Sequence, residues 1–217
     1  MGRQTRNSGP KSRSSKSKDE DRKYQILVFA EGISTECTYL NDWHRRYRDK
    51  VAVIIADHAG SAPMSVVRAA CLRKKSDFRK AHREGRPYDE YWCVIDVDEH
   101  ENLAEALQMA KDNGIYVALS NPCLEVWFLL HFYDQTKYLD RHEAQRLAYD
   151  HLGCTKSQFN QKHMPILHNA HELATTRAVA LDKKHYGDGT PRPCNPSSNI
   201  WELTEIIRKG RRLPLTP

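Results

Sequence analysis

From Tyr24 to Leu119, short runs of consecutive apolar residues alternate with longer stretches in which apolar positions recur every three or four residues. Runs such as Ile26-Leu27-Val28-Phe29 are apolar at every position. A strand with one wet face would alternate instead, so these read as strands of a parallel sheet covered by helices on both faces. The pattern predicts strands over Tyr24–Ala30, Val51–Ala56, Tyr91–Ile95 and Ile115–Leu119, with helices over Ser34–Arg48, Pro63–Glu84 and Asn102–Asn113 between them. That βαβαβαβ order defines an α/β fold. Ser34-Thr35-Glu36 has the composition of a helix start, and Asn113-Gly114 that of a helix stop ahead of the fourth strand.

Beyond Leu119 the period changes. Ser120-Asn121-Pro122 leads into an apolar helix over Cys123–Phe132, followed by helical segments over Arg141–Leu152 and Pro165–Lys183. A Gly/Pro/Asn-rich loop, Gly187–Ser198, precedes a last helix over Asn199–Lys209. The expected architecture is therefore a sheet of about four parallel strands flanked by helices (24–120), extended by a helical half (121–210), in one domain. Residues 1–23 are a Ser/Lys/Arg/Gly/Pro mixture with little to bury, and are expected to be a disordered basic tail.

Composition changes this picture in two respects. The formal net charge of the 217 residues is +6, yet residues 1–23 hold eight Lys/Arg against three Asp/Glu and residues 208–217 hold four Lys/Arg and no acid, which leaves 24–207 at −3. An acidic body of this kind needs a cation before it accepts a polyanion, while the basic ends can contact phosphates directly. The six cysteines (37, 71, 93, 123, 154, 194) are scattered with no Cys-x-x-Cys pair, as in a reduced, cytoplasmic protein rather than a disulfide scaffold. No apolar run approaches about eighteen residues and no signal-peptide core follows the N-terminus, so no membrane association is expected.

The candidate chemistry lies where the strands end. Glu31-Gly32 follows the first, Asp57-His58 the second, Asp96-Val97-Asp98 the third and Ser120-Asn121 the fourth. In open α/β sheets ligands gather at the carboxyl ends of the strands, so these residues converge without special assumption. Alternate side chains of an extended segment point the same way, so Asp96 and Asp98 can face one ion together. A hard cation such as Mg²⁺ takes one or two carboxylates, with waters and substrate phosphate completing its shell. Solvated strand ends often carry acids too, and an isolated Asp-x-Asp is by itself a weak signal.

Four motifs in order strengthen it: Ile26-Leu27-Val28-Phe29-Ala30-Glu31-Gly32-x-x-Thr35-Glu36-x-x-Tyr39-Leu40; Val94-Ile95-Asp96-Val97-Asp98-Glu99; the run from Ala118 to Phe132 containing Ser120-Asn121-Pro122-x-x-Glu125-x-Trp127; and Asn195-Pro196-Ser197-Ser198-Asn199. Together, over Tyr24–Arg208, they resemble the RloB family of bacterial phage-resistance (abortive-infection) proteins, which in turn resemble the Toprim fold of primases, topoisomerases and OLD-type nucleases. The resemblance implies Glu31 as general acid/base and Asp96 and Asp98 as ligands of Mg²⁺ or Mn²⁺, with Glu31 at the same metal. It also implies a nucleic-acid substrate, DNA or RNA (tRNA included), and a partner ATPase of the ABC/OLD type encoded nearby. The chain contains no Gly-x-x-x-x-Gly-Lys-Ser/Thr, so nucleotide hydrolysis has to come from that partner.

Asp57, Ser120, Asn121, Glu125 and His131 stand as supporting candidates. Ser120 and Asn121 are also natural helix N-caps. Glu125, in a first helical turn, suits either a dipole role or support of the site. It lies six residues from His131, about 240° around a helix, so the two do not share a face. His131 sits among Leu129, Leu130 and Phe132, as a hydrogen-bonded core histidine would. Tyr39, Trp43 and Tyr47 fall at helical spacing and read as core. His168 and His171 lack the His-Glu-x-x-His order of a zinc protease, and Glu99 after Asp98 departs from aspartyl-phosphate phosphatases. Three functions stay open: a metal-dependent nuclease; a non-catalytic regulatory or sensor subunit that binds an ATPase and uses the same acidic edge for a metal or phosphate; and a primase-like nucleotidyltransferase.

Overall fold

A computed structural model describes residues 23–32, 34–56, 60, 62–97, 102–189 and 193–212. The elements run β1 (Tyr24–Ala30), α1 (Thr35–Tyr47), β2 (Val51–Ile55), α2 (Pro63–Glu84), β3 (Glu90–Asp96), α3 (Leu103–Asp112), β4 (Tyr116–Asn121), α4 (Glu125–Leu130), α5 (Arg141–Leu152), α6 (Met164–Asn169), α7 (His171–Gly187), β5 (Ser197–Ser198) and α8 (Ile200–Lys209). The sheet order is β2-β1-β3-β4-β5. The first four strands are parallel, and β5 pairs antiparallel with the end of β4.

The continuously apolar strands are explained by two cores. Ile26, Val28, Ala30, Trp92 and Val94 face one, built with α1, α4–α8 and the loops between them. Leu27, Phe29, Tyr91, Cys93 and Ile95 face the other, built with α2 and α3. Successive strand residues point to opposite faces, and here both faces are dry. Among the described residues no disulfide forms, and Cys71, Cys93, Cys123 and Cys194 are buried.

The α/β sheet of four parallel strands flanked by helices is as expected, and two residues of the expected 187–198 loop add a fifth strand as an antiparallel edge. Several finer expectations are corrected. Ser120 and Asn121 are not helix N-caps. They are the last residues of β4, and Ser120 Oγ lies 2.8 Å from Ser198 Oγ while Asn121 Nδ2 donates to Pro193 O at 3.1 Å. The helix expected over 123–132 is confined to α4, and the one expected over 165–183 is broken at Ala170 into α6 and α7. Asp57, Asp98 and residues 1–22 lie outside the described residues.

Both ends of the described chain meet at the amino edge of the sheet. Lys23 Nζ donates to Arg48 O at 2.9 Å and Lys50 Nζ to Arg208 O at 3.3 Å. The opposite, carboxyl edge is left to the residues that follow β1, β3 and β4.

Three histidines pack in the larger core. The rings of His168 and His171 lie 4.7 and 4.8 Å from Trp43, and that of His131 lies 4.7 Å from Trp127. Their hydrogen bonds go to different partners: His131 Nδ1 to Trp127 O, His168 Nε2 to Asp42 and His171 Nε2 to Thr204 Oγ1. Burial pushes His131 down to about 3 and His171 down to about 4. Both are then neutral in the native state, whereas the unfolded chain takes up their protons below its ordinary value of about 6.5. Stability is accordingly expected to fall as pH drops from 6.5 to 5, by about 1.4 kcal/mol per pH unit for each histidine once the unfolded side chain is charged. In urea unfolding across that range, His171→Gln should make the dependence on pH less steep by up to about 1.4 kcal/mol per pH unit. An unchanged slope in His171→Gln would show that this residue is not held neutral.

Candidate functional site

The strand order places the reversal of chain direction between β1 and β3: from β1 the chain steps out to β2, and after returning through β3 it steps to β4 on the other side. In doubly wound sheets the crevice at such a point is the binding site. Ala30 pairs with Val94, and the Glu31 N–H donates to Val94 O at 3.3 Å, so Glu31 leaves β1 directly beside the end of β3. Its Oε2 is out of contact with solvent.

Asp96 is the last residue of β3. Trp92 and Val94 face the larger core, and the period of two carries Asp96 to that same side, beneath the start of α4. It is 6 % exposed. Its Oδ1 accepts the Leu124 N–H at 2.9 Å, and Oδ2 lies 3.7 Å from an Arg141 nitrogen.

Two glutamates close the group. Glu36, in the first turn of α1, folds its carboxylate back over Gly32, where a Cβ would collide with it. Gly32 thus leaves room for that carboxylate, which any larger residue would displace. Glu125, the first residue of α4, is 2 % exposed, and its Oε1 accepts the Tyr149 hydroxyl at 2.8 Å. Tyr149 in turn lies 3.2 Å from Thr35 Oγ1, so one tyrosine ties α5 to the openings of α1 and α4. Lys156 Nζ stands 3.7 Å from Glu125 Oε1. The Gln145 amide, with its oxygen turned toward the cations, accepts from Lys156 Nζ at 3.0 Å and Arg141 Nε at 3.3 Å.

Burial, reinforced by the charges of Glu36, Glu125 and Glu31 and opposed by Arg141, raises the Asp96 carboxyl well above its ordinary value. Burial likewise raises Glu36, with Glu125 adding to the effect while its own backbone N–H, Lys156 and Arg141 act against it. The formal balance is four carboxylates (Glu31, Glu36, Asp96, Glu125) against two cations (Arg141, Lys156), a residual charge of about −2. A divalent cation would cancel it. As the side chains stand, no group of three or more His, Cys, Asp and Glu among the described residues is arranged to hold a metal ion. The Asp96 oxygens are turned to Leu124 and Arg141.

Of the residues singled out in the sequence, Glu31, Asp96 and Glu125 come together. Ser120 and Asn121 secure β5 nearby, and His131 belongs to the aromatic core. Sequence reasoning missed Glu36, Arg141, Tyr149 and Lys156. For Glu36 the signal was present, since Thr35-Glu36 recurs in the motif that follows β1; it was assigned only to opening a helix. Nothing in the local sequence marks Tyr149.

A mostly parallel sheet covered on both faces, with carboxylates collected at the ends of its central strands, has the general architecture of Toprim-like proteins. The family model described as RloB-like protein matches residues 26–207, and the chain belongs to that family. No curated protein and no solved structure is matched. Among the described residues, no helix is long and apolar enough to cross a membrane.

The Tyr149 bridge has a measurable consequence. Tyr149→Phe keeps the ring among Phe159 and its neighbours but removes the donor to the buried Glu125. Loss of one hydrogen bond to a buried charge costs about 1.5–3 kcal/mol. Denaturant unfolding should show that loss, and a change below about 0.5 kcal/mol would mean that Glu125 does not depend on Tyr149.

Proposed function

We propose that this chain is a metal-dependent nuclease of bacterial anti-phage defence, hydrolysing phosphodiester bonds in DNA or RNA with Mg²⁺ or Mn²⁺ and acting beside a separate ATPase. Membership of the RloB-like family supports the defence role. The observation that carries the chemistry is the Asp96 carboxyl, buried at the sheet's reversal point beside Glu31, Glu36 and Glu125. All four donors are hard carboxylate oxygens, which suit Mg²⁺ or Mn²⁺ and not a soft metal.

In this reading Asp96, Glu31 and Asp98 are the ligands, with Arg141 turning from Asp96 toward the incoming phosphate. Once bound, the metal supplies polarisation of the phosphate and a more acidic attacking water. Glu31 Oε2 takes the proton from the attacking oxygen or returns one to the leaving oxygen. Arg141 neutralises a non-bridging oxygen of the phosphate. Lys156 and Tyr149 hold Glu125 in place, so that its charge stays beside Asp96.

A second reading, a non-catalytic regulatory or sensor subunit for an ATPase, is favoured by one observation: among the described residues no three ligands already surround a common point. The readings separate in two measurements. Purified protein incubated with mixed RNA and DNA should cleave only with Mg²⁺ or Mn²⁺, and Glu31→Gln should lower the rate by about 10²-fold or more. Absence of metal-dependent cleavage would exclude the nuclease reading, and cleavage that persists when Asp96 is changed to Asn would exclude this carboxylate group as its site. Independently of activity, Asp96→Asn keeps an oxygen for the Leu124 N–H while removing a buried like charge. In EDTA it should melt a few degrees higher than the parent chain, about 2–4 °C for each kcal/mol of repulsion relieved. Mg²⁺ should raise the melting temperature of the parent and leave that of Asp96→Asn unmoved.

A further inference from the structure

Beside the carboxylates lies a cleft that shares Arg141 with the proposed chemistry and is otherwise not used by it. It has a volume of about 630 Å³ and is lined by Val97, Asn121, Pro122, the segment Tyr138–His142 and Asn195. That is within the range of about 300–1,000 Å³ typical of ligand sites. Its walls are fixed by specific hydrogen bonds. Asn195 Oδ1 accepts the Leu139 N–H at 3.1 Å and Asn195 Nδ2 donates to Leu139 O at 2.8 Å, clamping the approach to α5 against the chain that leads into β5. Asn121 Nδ2 secures Pro193 O on the other side, and Asp140 caps α5 by accepting the Glu143 N–H.

Between these fixed walls one large side chain is left out in solvent: Tyr138 is 73 % exposed. Two further members carry nitrogen groups, the Arg141 guanidinium and the imidazole of the exposed His142. Arg141 belongs to both places, because it lines the cleft and lies 3.7 Å from Asp96 Oδ2. Val97 marks the same border, being the residue after Asp96. Among the described residues of the lining the one acid, Asp140, is turned to its helix cap.

We infer that this cleft receives an unpaired nucleotide of a single-stranded nucleic acid, its base stacked on Tyr138 and its phosphate drawn by Arg141 toward Asp96. The inference rests on the nuclease reading for what happens at Asp96, but base binding stands apart from cleavage. An exposed aromatic ring in the same cleft as a guanidinium offers a π-face and a phosphate contact with little hydrogen-bonding selectivity, which is how single strands are held. A base inside a duplex has both faces covered by its neighbours and cannot stack on Tyr138 unless it leaves the helix. The cleft therefore selects single strands, loops or frayed ends over intact duplex.

The test uses the full chain in Ca²⁺ with a fluorescein-labelled 12-nucleotide single strand, as DNA and as RNA, and the corresponding duplexes, read by fluorescence anisotropy. The parent chain should bind at least one single strand more tightly than its duplex. Tyr138→Ala should weaken that binding by about 5–100-fold, and Tyr138→Phe should restore it to within about 2-fold. Because Tyr138 is exposed, these variants leave the fold intact, which a melting curve checks. No binding, equal affinity for duplex, or unchanged binding in Tyr138→Ala overturns the inference. If single-strand binding depends on Tyr138 while Mg²⁺ and Mn²⁺ produce no cleavage, the cleft stands and the nuclease reading fails. If cleavage occurs and Tyr138→Ala leaves KM for the single strand unchanged, the nuclease reading stands and the cleft fails.

Discussion

The structure turns on a carboxylate placed where a negative charge is hard to keep. Asp96 is buried at the end of β3, with three glutamates adding to the cost of its charge and one arginine at 3.7 Å relieving it. Taking an ion out of water carries an effective penalty of several kcal/mol unless it is closely paired. Burial and these like charges raise the carboxyl above its ordinary value, as for any buried acid without full compensation. Nothing local to Asp96 requires this; Asn would satisfy the Leu124 N–H as well. The arrangement is imposed by the sheet, whose register puts residue 96 at the reversal point and whose flanking turns deliver Glu31 and Glu36 to the same place.

The helical half supplies what the α/β half lacks. Glu125 comes from α4, Arg141 and Tyr149 from α5, and Lys156 from the turn that follows. Tyr149 spans the two halves by hydrogen bonding to Glu125 and lying within 3.2 Å of Thr35. Below that bridge, Trp127 Nε1 donates to the Tyr39 hydroxyl at 2.6 Å, so a second buried bond joins α4 to α1. The carboxylates are thus positioned from both sides of a packed interface rather than by a loop. Rigid placement matters for metal and phosphate chemistry, because errors on the order of 1 Å can cost about 10²-fold in rate.

The sheet was readable in the sequence because its cause is local and periodic: strands apolar at every position, helices with a three-to-four repeat, and polar residues where the strands stop. All four parallel strands and the convergence of Glu31 with Asp96 follow from that pattern and the general behaviour of open sheets. What could not be read depends on long-range contacts. Ser197-Ser198 has no strand signature of its own; it is a strand because Ser120 and Asn121 present a free edge to it. Ser120 and Asn121 carry the chemistry of N-caps, yet Asp96 supplies the oxygen for the Leu124 N–H at the start of α4. Glu36 was legible as a helix opener and illegible as a site residue, since only the fold shows its side chain turned back over Gly32. Tyr149 and Lys156 are ordinary residues of a helix and a turn until α5 is packed against α1 and α4.

The two ends of β3 show why burial alone does not identify a site. Glu90, at its start, is 3 % exposed and Asp96, at its end, is 6 % exposed. Glu90 receives the Tyr24 hydroxyl at 2.7 Å, the Trp92 indole at 2.6 Å and two bonds from Arg212, whose guanidinium also lies 3.9 Å from the Tyr116 ring centre. Both of its oxygens are matched by donors and its charge by a close cation, so it fastens the segment that follows α8 to the sheet. Asp96 has one backbone donor, one more distant cation and three neighbours of its own sign. The same strand therefore ends in a closed electrostatic arrangement on one side and an open one on the other. Since the open one coincides with the reversal point and adjoins the Tyr138 cleft, charge, topology and available space select the same edge of the molecule.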